Sequence, residues 1–378
     1  MEEEELCNDS HELGYIDCHC HLADDMFDKD LEEVVANSKK DGVSAIVVVP
    51  IGLEDFSKVL DISLKYRDIL SPCLGVHPVQ RGTEDQRSVT LADIEAALPE
   101  IEKHVDILCG IGEIGLDFQP RVCKNPSDKD VQKEVLRLQV EMAKKFDLPI
   151  NVHSRSAGRP TIAALKEFGA RNVVMHAFDG RPAVAMEGVR EGFYFSIPPS
   201  IVRNDQEKLV KQVPIDNMLL ETDSPGLGPE KGVRNNPSNL HISCEYIAKV
   251  KNMDTSEVRR ITSSNALKLF PKLTKLFSGN AAGETLFSGY AGETFLSGNA
   301  GETLFSGNAG ETFLIGNAGE TLFIGNAGET FLSGNAGETF LSGNAGETFN
   351  SSNAGETFLR VELLFVTIFL SINTHVAV

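Results

Sequence analysis

The feature that most constrains the fold is an alternation of short β-rich runs with helix-like segments over the first three-quarters of the chain. Eight such runs recur at steady intervals, at residues 15–21, 45–50, 70–78, 107–117, 148–155, 172–178, 193–200 and 218–224. Most are continuously apolar, as strands buried on both faces of a parallel sheet should be. Apolar residues at helical spacing lie between them, at 29–41, 128–146, 157–169, 181–191, 204–213, 241–251 and 254–269. Eight alternating units over about 260 residues predict an α/β fold, a (β/α)8 TIM barrel, and an open doubly wound sheet is the alternative.

The composition changes abruptly near Ser278. From Ser278 to Leu359 a nine-residue unit close to SGNAGETFL occurs nine times, the first copy lengthened by one Ala. Even its polar positions are nearly identical, whereas natural solenoids diverge at solvent positions, so the pattern indicates recent tandem duplication. The Gly, Asn and Ser content disfavours a packed core and predicts a disordered or weakly structured low-complexity tail. An irregular β-stack is the alternative, because ETFL is β-prone.

We therefore divide the chain into four regions: an acidic N-terminal extension at 1–13, the barrel at 14–277, the repeat tail at 278–359 and an apolar C-terminal tail at 360–378. The apolar run LLFVTIFLSI in the last region is too short to span a bilayer comfortably. The acidic N-terminus has neither the apolar stretch of a secretory signal nor the Arg-rich character of a mitochondrial transit peptide. We expect a cytoplasmic or nuclear protein that does not associate with a membrane.

Charge and local motifs exclude several classes of function. The net charge of -20 argues against nucleic-acid binding through a broad basic surface, so a DNA substrate would need bound cations and a few local Lys or Arg. None of the seven cysteines forms a CxxC pair, so we expect reduced thiols and no zinc ribbon. GIGEIG (110–115) satisfies GxGxxG, but loop-like residues follow it where a dinucleotide fold needs a helix. We expect no nucleotide cofactor.

Side chains that bind metals stand at the ends of the predicted strands: His19, His21, His77, Glu113, His153, His176 and Asp223. In a parallel barrel all strands point the same way, so their C-terminal ends meet on one face. His19 and His21 are two residues apart and point to the same side of a strand. Each element alone has an ordinary structural explanation, since Glu113 or Asp223 can cap a helix. Their joint arrangement indicates a metal site.

Six of these groups are candidate metal ligands: His19, His21, Glu113, His153, His176 and Asp223. Imidazole and carboxylate are the usual ligands of Zn²⁺, Mn²⁺ and similar ions. Six ligands are too many for one tetrahedral ion and suit two ions a few ångströms apart, with Glu113 between them. Such a pair clamps a phosphate, generates hydroxide at neutral pH and stabilises the leaving oxygen.

Six motifs occur in the order and spacing of a known family: IDCHCHL (16–22), GVHP (75–78), GEIGLD (112–117), NVHSR (151–155), HAFDG (176–180) and ETDSP (221–225). Over about residues 14–276 the chain resembles the TatD-like metal-dependent deoxyribonucleases, most closely the third TatD-domain group of animals. The resemblance implies a TIM barrel of the metal-dependent hydrolase type. It also implies DNA as substrate and two divalent ions, Zn, Mn or Mg.

The resemblance implies a role for each candidate residue. His19 and His21 resemble ligands of the first metal, Glu113 the bridging carboxylate, and His153 and His176 ligands of the second. Asp223 resembles a ligand that also orients or deprotonates the attacking water, so Asp223 and Glu113 are the expected catalytic residues.

Three further residues are candidates for substrate binding. His77 is similar to a family position near the substrate phosphate that is not a metal ligand. Ser154 and Arg155 lie beside His153 and are candidates for phosphate contacts, although a salt bridge on the barrel rim would equally explain Arg155.

One motif departs from the family pattern. Where the family often reads RNEP after the eighth strand, this chain has Arg234-Asn235-Asn236-Pro237. We expect loss of the Glu to remove a negative charge from a rim loop and to loosen that loop or weaken a contact behind the ligands.

Two alternatives to a nuclease remain open. An amidohydrolase or lactonase acting on a small molecule would use the same metal site, and the acidic net charge favours it slightly. A degenerate barrel that acts as a binding module would need no intact ligand set, and all six ligands are present here.

Overall fold

The structure is a computed structural model, and it describes residues 13–82, 86–204 and 206–278. In the repeat tail it describes the backbone at 284–297, 300–315, 318–333, 336–342, 345–350, 356–360 and 369–371. The chain divides into two compact units, Met1–Leu273 and Thr274–Val378. Most of the predicted acidic extension at 1–13 and of the apolar tail at 360–378 lies outside the described residues.

Eight parallel strands form one sheet of the first unit: β1 (Tyr15–Cys20), β2 (Val43–Val48), β3 (Leu70–Leu74), β4 (Gly110–Gly115), β5 (Ile150–His153), β6 (Val173–Met175), β7 (Tyr194–Ile197) and β8 (Met218–Leu220). They pair in chain order from β1 to β8. All eight predicted strands are confirmed.

The sheet closes nearly completely where the chain leaves β8. The backbone N–H of Asp223 donates to the carbonyl of His19 at 2.9 Å. The carboxylate of Asp17, fully buried in β1, accepts hydrogen bonds from the backbone N–H of Thr222 at 2.9 Å and from its hydroxyl at 2.5 Å. Burial raises the pKa of Asp17 to about 7. These contacts confirm the barrel over the open sheet and set the end of β1 beside the loop after β8.

Helices cover the outside of the barrel: α1 (Leu31–Lys40), α2 (Phe56–Lys65), α3 (Leu91–His104), α4 (Asp128–Lys145), α5 (Gly158–Glu167), α6 (Pro182–Arg190), α7 (Glu207–Gln212), α8 (Leu240–Lys251) and α9 (Thr255–Leu269). No pattern predicted α2, α3 or the hairpin of Val79–Arg81 and Gln86–Ser88. α3 contains Pro99, which disfavours a helix interior, yet Thr90 and Asp93 form a capping box at its start.

The first unit has an apolar core between the sheet and the helices. Phe27, Phe193 and Phe195 are among its largest fully buried side chains. The six cysteines in the described part of the chain form no disulfide. None of the helices in the described ranges is long and apolar enough to cross a membrane.

The described backbone of the repeat tail forms mainly parallel strands. Glu284 pairs with Glu302, and Glu302 pairs with Glu320, so each repeat aligns with the copy two units further along the chain. Parallel pairing of equivalent repeat positions corresponds to the β-stack that the sequence offered as the alternative to disorder. The predicted weak structure of this segment in solution stays a prediction.

Asn265 breaks the apolar pattern of α9 and has a structural role there. Its side chain is buried, and its Nδ2 donates to the carbonyls of Ile215 at 2.9 Å and Met218 at 3.0 Å. The carbonyl of Ile215 lies in the short 3-10 turn that leads into β8, and that of Met218 lies at the first residue of β8. Asn265 therefore fixes α9 to the start of the last barrel strand.

Replacement of Asn265 by Leu should lower the free energy of unfolding by about 2 kcal/mol or more, because two backbone carbonyls lose a donor. Urea unfolding of the full chain, followed by circular dichroism, measures this loss. Ser264→Ala, at the half-buried neighbouring position, is the matched control and should change little. Equal stability of the two variants would contradict the role of Asn265.

Candidate metal centre

The structure brings all seven predicted side chains together at the C-terminal face of the barrel: His19, His21, His77, Glu113, His153, His176 and Asp223. His19 lies in β1, Glu113 in β4 and His153 at the end of β5. The others lie in the loops that follow β1, β3, β6 and β8. His19 and Glu113 are almost completely buried, at 0% and 1% exposure.

Four donor atoms form a first set: His19 Nε2, His21 Nε2, Glu113 Oε2 and Asp223 Oδ1. The two imidazole nitrogens are 3.3 Å apart. Glu113 Oε2 is 3.4 Å from His19 Nε2 and 3.2 Å from His21 Nε2. Asp223 Oδ1 is 3.3 Å and 3.4 Å from the same nitrogens. Ligands about 2.0 Å from a tetrahedral ion are about 3.3 Å from one another, so the spacing fits a divalent cation such as Zn²⁺.

The other oxygen of Glu113 faces a second set of nitrogens. Glu113 Oε1 is 2.9 Å from His153 Nδ1, 3.2 Å from His77 Nε2 and 3.4 Å from His176 Nε2. His77, Glu113 and His153 offer three donor atoms within 4.8 Å of one another. His77, expected from the resemblance to lie beside the phosphate, is thus also placed to act as a ligand.

Hydrogen bonds behind the rings fix which nitrogen of each histidine faces the centre. Asn151 Nδ2 donates to the carbonyl of Cys18 at 2.8 Å, so its Oδ1 faces His19 Nδ1, also at 2.8 Å. His19 Nδ1 must therefore carry the proton, which leaves the Nε2 lone pair for a cation. His21 Nδ1 lies 3.2 Å from the carbonyl of Val49, with the same consequence.

Carboxylates take this role behind two other rings. His176 Nδ1 is 3.0 Å from Glu221 Oε2, and the second oxygen of Glu221 accepts the backbone N–H of Ala177 at 2.8 Å. His153 Nε2 is 3.2 Å from Asp117 Oδ2. Metal-binding histidines usually donate their outer N–H to such acceptors, which orient the ring.

No pattern in the sequence singled out these acceptors, Asn151, Asp117 and Glu221. All three are buried, and each lies in a sequence motif that also contains a predicted ligand. A polar residue within or just after a buried strand is the signal that identifies them, because a buried polar side chain needs a partner.

The electrostatics of the centre favour anionic carboxylates. Burial raises the pKa of Glu113, but the charges of His77 and His19 outweigh it and hold this pKa well below its ordinary value. Burial likewise opposes ionisation of Asp223, yet its hydrogen bond with His19 keeps the pKa at about 2. Burial lowers the pKa of His153, and hydrogen bonds to Asp117 and Glu113 raise it to about 9. Protons and cations therefore compete for the same nitrogens.

Ser154 and Arg155 lie next to the centre, in the loop after β5. Ser154 is buried and Arg155 is exposed. Among the described residues no carboxylate lies within ion-pair distance of Arg155, so the rim salt bridge considered from the sequence is not found there. Their contacts with a phosphate stay predictions.

The loop that carries Asn236 is held by several hydrogen bonds. Asn236 accepts the backbone N–H of Ser238 at 3.0 Å, and Asn235 donates to the carbonyl of Thr222 at 2.8 Å. These hydrogen bonds give no sign of the loosening that we expected from Asn236. The effect of Asn236 on the contacts behind the ligands stays a prediction.

The fold and this site define a metal-dependent hydrolase of the (β/α)8-barrel class. The family model of TatD related DNase matches residues 16–271, and the chain belongs to this family. It is 56% identical over 266 residues to the human protein "Deoxyribonuclease TATDN3", a match that covers 70% of this chain and 97% of the relative.

The chain also matches more distant proteins over nearly their whole length. The chain is 37% identical to the "Uncharacterized metal-dependent hydrolase YabD" of Bacillus subtilis, over 67% of this chain and 98% of that protein. Among solved structures, YJJV, a TatD homolog from Escherichia coli, matches with a TM-score of 0.61 at 25% identity, covering 68% of this chain and 98% of that one.

Replacement of Asn151 by Ala should weaken divalent-metal binding about 10- to 100-fold, because His19 loses the acceptor that fixes its tautomer. Titration calorimetry of the metal-free full chain with Zn²⁺ measures the change. Asn217→Ala is the matched control, because it removes a hydrogen bond from the residue before β8 to the Phe193 carbonyl before β7. Unchanged affinity in the Asn151 variant would show that this hydrogen bond does not prepare the site.

The metal-free chain should become less stable as the pH rises from about 6.5 to about 9. Folded His153 keeps its proton to about pH 9, whereas an unfolded histidine loses it near pH 6.5. Stability then falls by about 1.4 kcal/mol per pH unit for each such proton. Urea unfolding in chelator measures the slope. With metal bound, stability should stay nearly constant over this range, because the histidine ligands are deprotonated in both the folded and the unfolded state. A metal-free stability that rises with pH would contradict the charged site.

Proposed function

We propose that this chain is a deoxyribonuclease that hydrolyses DNA phosphodiester bonds at a centre of two divalent ions, Zn²⁺, Mn²⁺ or Mg²⁺. The position of Glu113 is the main support for this proposal. Its Oε2 faces His19 and His21, and its Oε1 faces a separate group of histidines. A carboxylate with one oxygen toward each of two donor sets is suited to bridge two cations.

The residues divide between the two ions. His19, His21 and Asp223 would hold the first ion, and His153 and His176 the second, with Glu113 shared. His77 contacts the same Glu113 oxygen as the second set, so it lies where a phosphate bound to that ion would also be in reach. When bound, the ions supply Lewis acidity at the phosphate, offset charge on the leaving oxygen and lower the pKa of water.

Asp223 would accept the proton of the attacking water. Its Oδ1 faces His19 and His21, and in the described ranges no donor hydrogen-bonds to its Oδ2. The low pKa of Asp223 keeps it anionic at neutral pH, where it orients the water. The water oxygen attacks phosphorus, its proton passes to Asp223, and the bond to the departing 3′ oxygen breaks on the opposite side.

Local groups must offset the overall charge of -20 during DNA binding. Arg155 is exposed, follows the ligand His153 by two residues, and has no carboxylate partner in the described part of the chain. Its guanidinium suits bidentate contact with a phosphate that flanks the reacting one. Ser154, between the two, offers a hydroxyl donor.

An amidohydrolase or lactonase activity on a small substrate is the second candidate, and the acidic charge of the chain is the observation that favours it. The same centre would polarise a carbonyl in place of a phosphate. A panel of single-stranded DNA, abasic-site DNA and small carboxylic esters separates the two candidates.

Glu113→Ala and Asp223→Ala should each lower divalent-dependent DNA hydrolysis about a thousandfold or more, because one removes the bridging carboxylate and the other the proton acceptor. The full chain is assayed on a labelled oligonucleotide with Mn²⁺, Zn²⁺ and Mg²⁺ in turn. Glu95→Gln, on the exposed face of α3, is the matched control and should retain activity. Undiminished cleavage by both site variants, with their folds intact, would remove the mechanism.

Arg155→Gln should raise KM for DNA about fivefold and leave kcat nearly unchanged, because the lost contact is made equally before and during the reaction. Steady-state kinetics at two salt concentrations measure both constants. Arg171→Gln removes an exposed arginine in the loop before β6, at the opposite end of the barrel, and serves as control. The same KM for both variants would show that Arg155 does not bind DNA.

A further inference from the structure

A cavity of about 260 Å³ lies on the barrel rim beside Asp223. The loop at 225–234, which follows β8, lines most of it. Met26 from the loop after β1 and Arg203 from the loop after β7 complete the lining. We call this feature the rim cavity. Neither the proposed ion ligands nor the proposed phosphate contacts use it.

The floor of the rim cavity reaches the carboxylate of Asp223. A Cβ added to Gly226 would lie 3.5 Å from Asp223 Oδ2, the oxygen proposed to accept the water proton. Gly228 and Gly232 also line the cavity, and around Gly232 nothing lies within 4 Å of such a Cβ. The floor is therefore largely backbone, which lets a flat group approach closely.

Two apolar side chains form exposed walls of the rim cavity. Met26 is 54% exposed and Val233 is 58% exposed. Arg234 fixes the backbone that carries Met26, because its Nη1 donates to the carbonyl of Met26 at 2.6 Å and its guanidinium lies over the ring of Phe27. Two exposed apolar side chains that line one cavity suit contact with the apolar face of a ligand.

The charges around the rim cavity do not favour an anion. The guanidinium of Arg234 is paired with Asp30. Arg203 donates through Nε to the carbonyl of Gly228, and the carboxylate of Glu230 lines the same cavity. A nearly neutral cavity with apolar walls suits a flat, uncharged group with polar edges, which describes a nucleobase better than a phosphate.

We propose that the rim cavity binds the base of the nucleotide that flanks the scissile phosphate, with Met26 and Val233 against the base. This inference rests on the proposed function, since it takes DNA as the substrate. Because the cavity lining at Gly226 adjoins Asp223, a phosphate bound at the metal centre would bring its neighbouring base within reach of this cavity. Met26 and Val233 then act in substrate affinity and leave the chemistry at the metal centre unchanged.

The test compares two substrates in the double variant Met26→Ser, Val233→Ser. KM for a single-stranded oligonucleotide should rise about tenfold, because two apolar contacts with the base are lost. Hydrolysis of methyl p-nitrophenyl phosphate, a phosphodiester without a nucleoside, should stay within about twofold of wild type. Ile107→Ser is the control, since Ile107 is also 58% exposed but precedes β4 at the opposite end of the barrel.

A second substrate series identifies the base itself. Oligonucleotides that lack the base at one position next to the cleaved bond should show a raised KM with wild type and no further increase with the double variant. This non-additivity is expected only when the side chains and that base contact each other.

The outcomes separate the inference from the function on which it rests. Wild-type cleavage of DNA with an unchanged KM in the double variant would overturn the base subsite and leave the nuclease proposal intact. Loss of activity on both substrates would also overturn it, because Met26 and Val233 would then act through the metal centre. Hydrolysis of the small diester without any cleavage of DNA by wild type would overturn both.

Discussion

The carboxylate of Glu113 is the constraint on which the rest of the site depends. It is buried in the mouth of the barrel, where an unpaired negative charge costs several kcal/mol. Five imidazole rings surround it, and its two oxygens face different rings. Histidine nitrogens whose outer N–H is already bound to another acceptor present lone pairs to this carboxylate. Such an arrangement is stable only with protons or cations between the groups, and the spacing of the first donor set suits a cation.

The barrel provides the positions that this carboxylate requires. The converging side chains come from residues about 200 positions apart in the chain, and parallel strands bring the ends that carry them to one face. Closure between β1 and β8 matters most, since His19 and Asp223 belong to the same donor set. The hydrogen bonds of Asp17 to Thr222 and of Asp223 to His19 set the register between these two strands. Fold stability and ligand geometry therefore depend on the same few contacts.

Periodicity in the sequence predicted the strands and most helices, because apolar runs report burial directly. It did not predict α3, where Pro99 argues locally against a helix that tertiary packing stabilises. Asn265 looked like an interruption, since its partners are carbonyls about 50 residues away. The predicted strand ends named the seven side chains that converge at the candidate metal centre, and their role as ligands stays a prediction. The acceptors Asn151 and Glu221, and the two-sided contacts of Glu113, depend on which strands become neighbours, which periodicity alone does not specify.

We propose that Glu113 bridges two cations, and electron paramagnetic resonance of the Mn²⁺-loaded full chain can detect such a pair. Two ions that share a carboxylate are magnetically coupled, so we expect the spectrum of an exchange-coupled pair at two equivalents of Mn²⁺ per chain. Glu113→Ala should convert that spectrum to one of uncoupled ions. A wild-type spectrum of isolated Mn²⁺ at saturation, or no bound Mn²⁺ at all, would rule out a pair of cations bridged by Glu113.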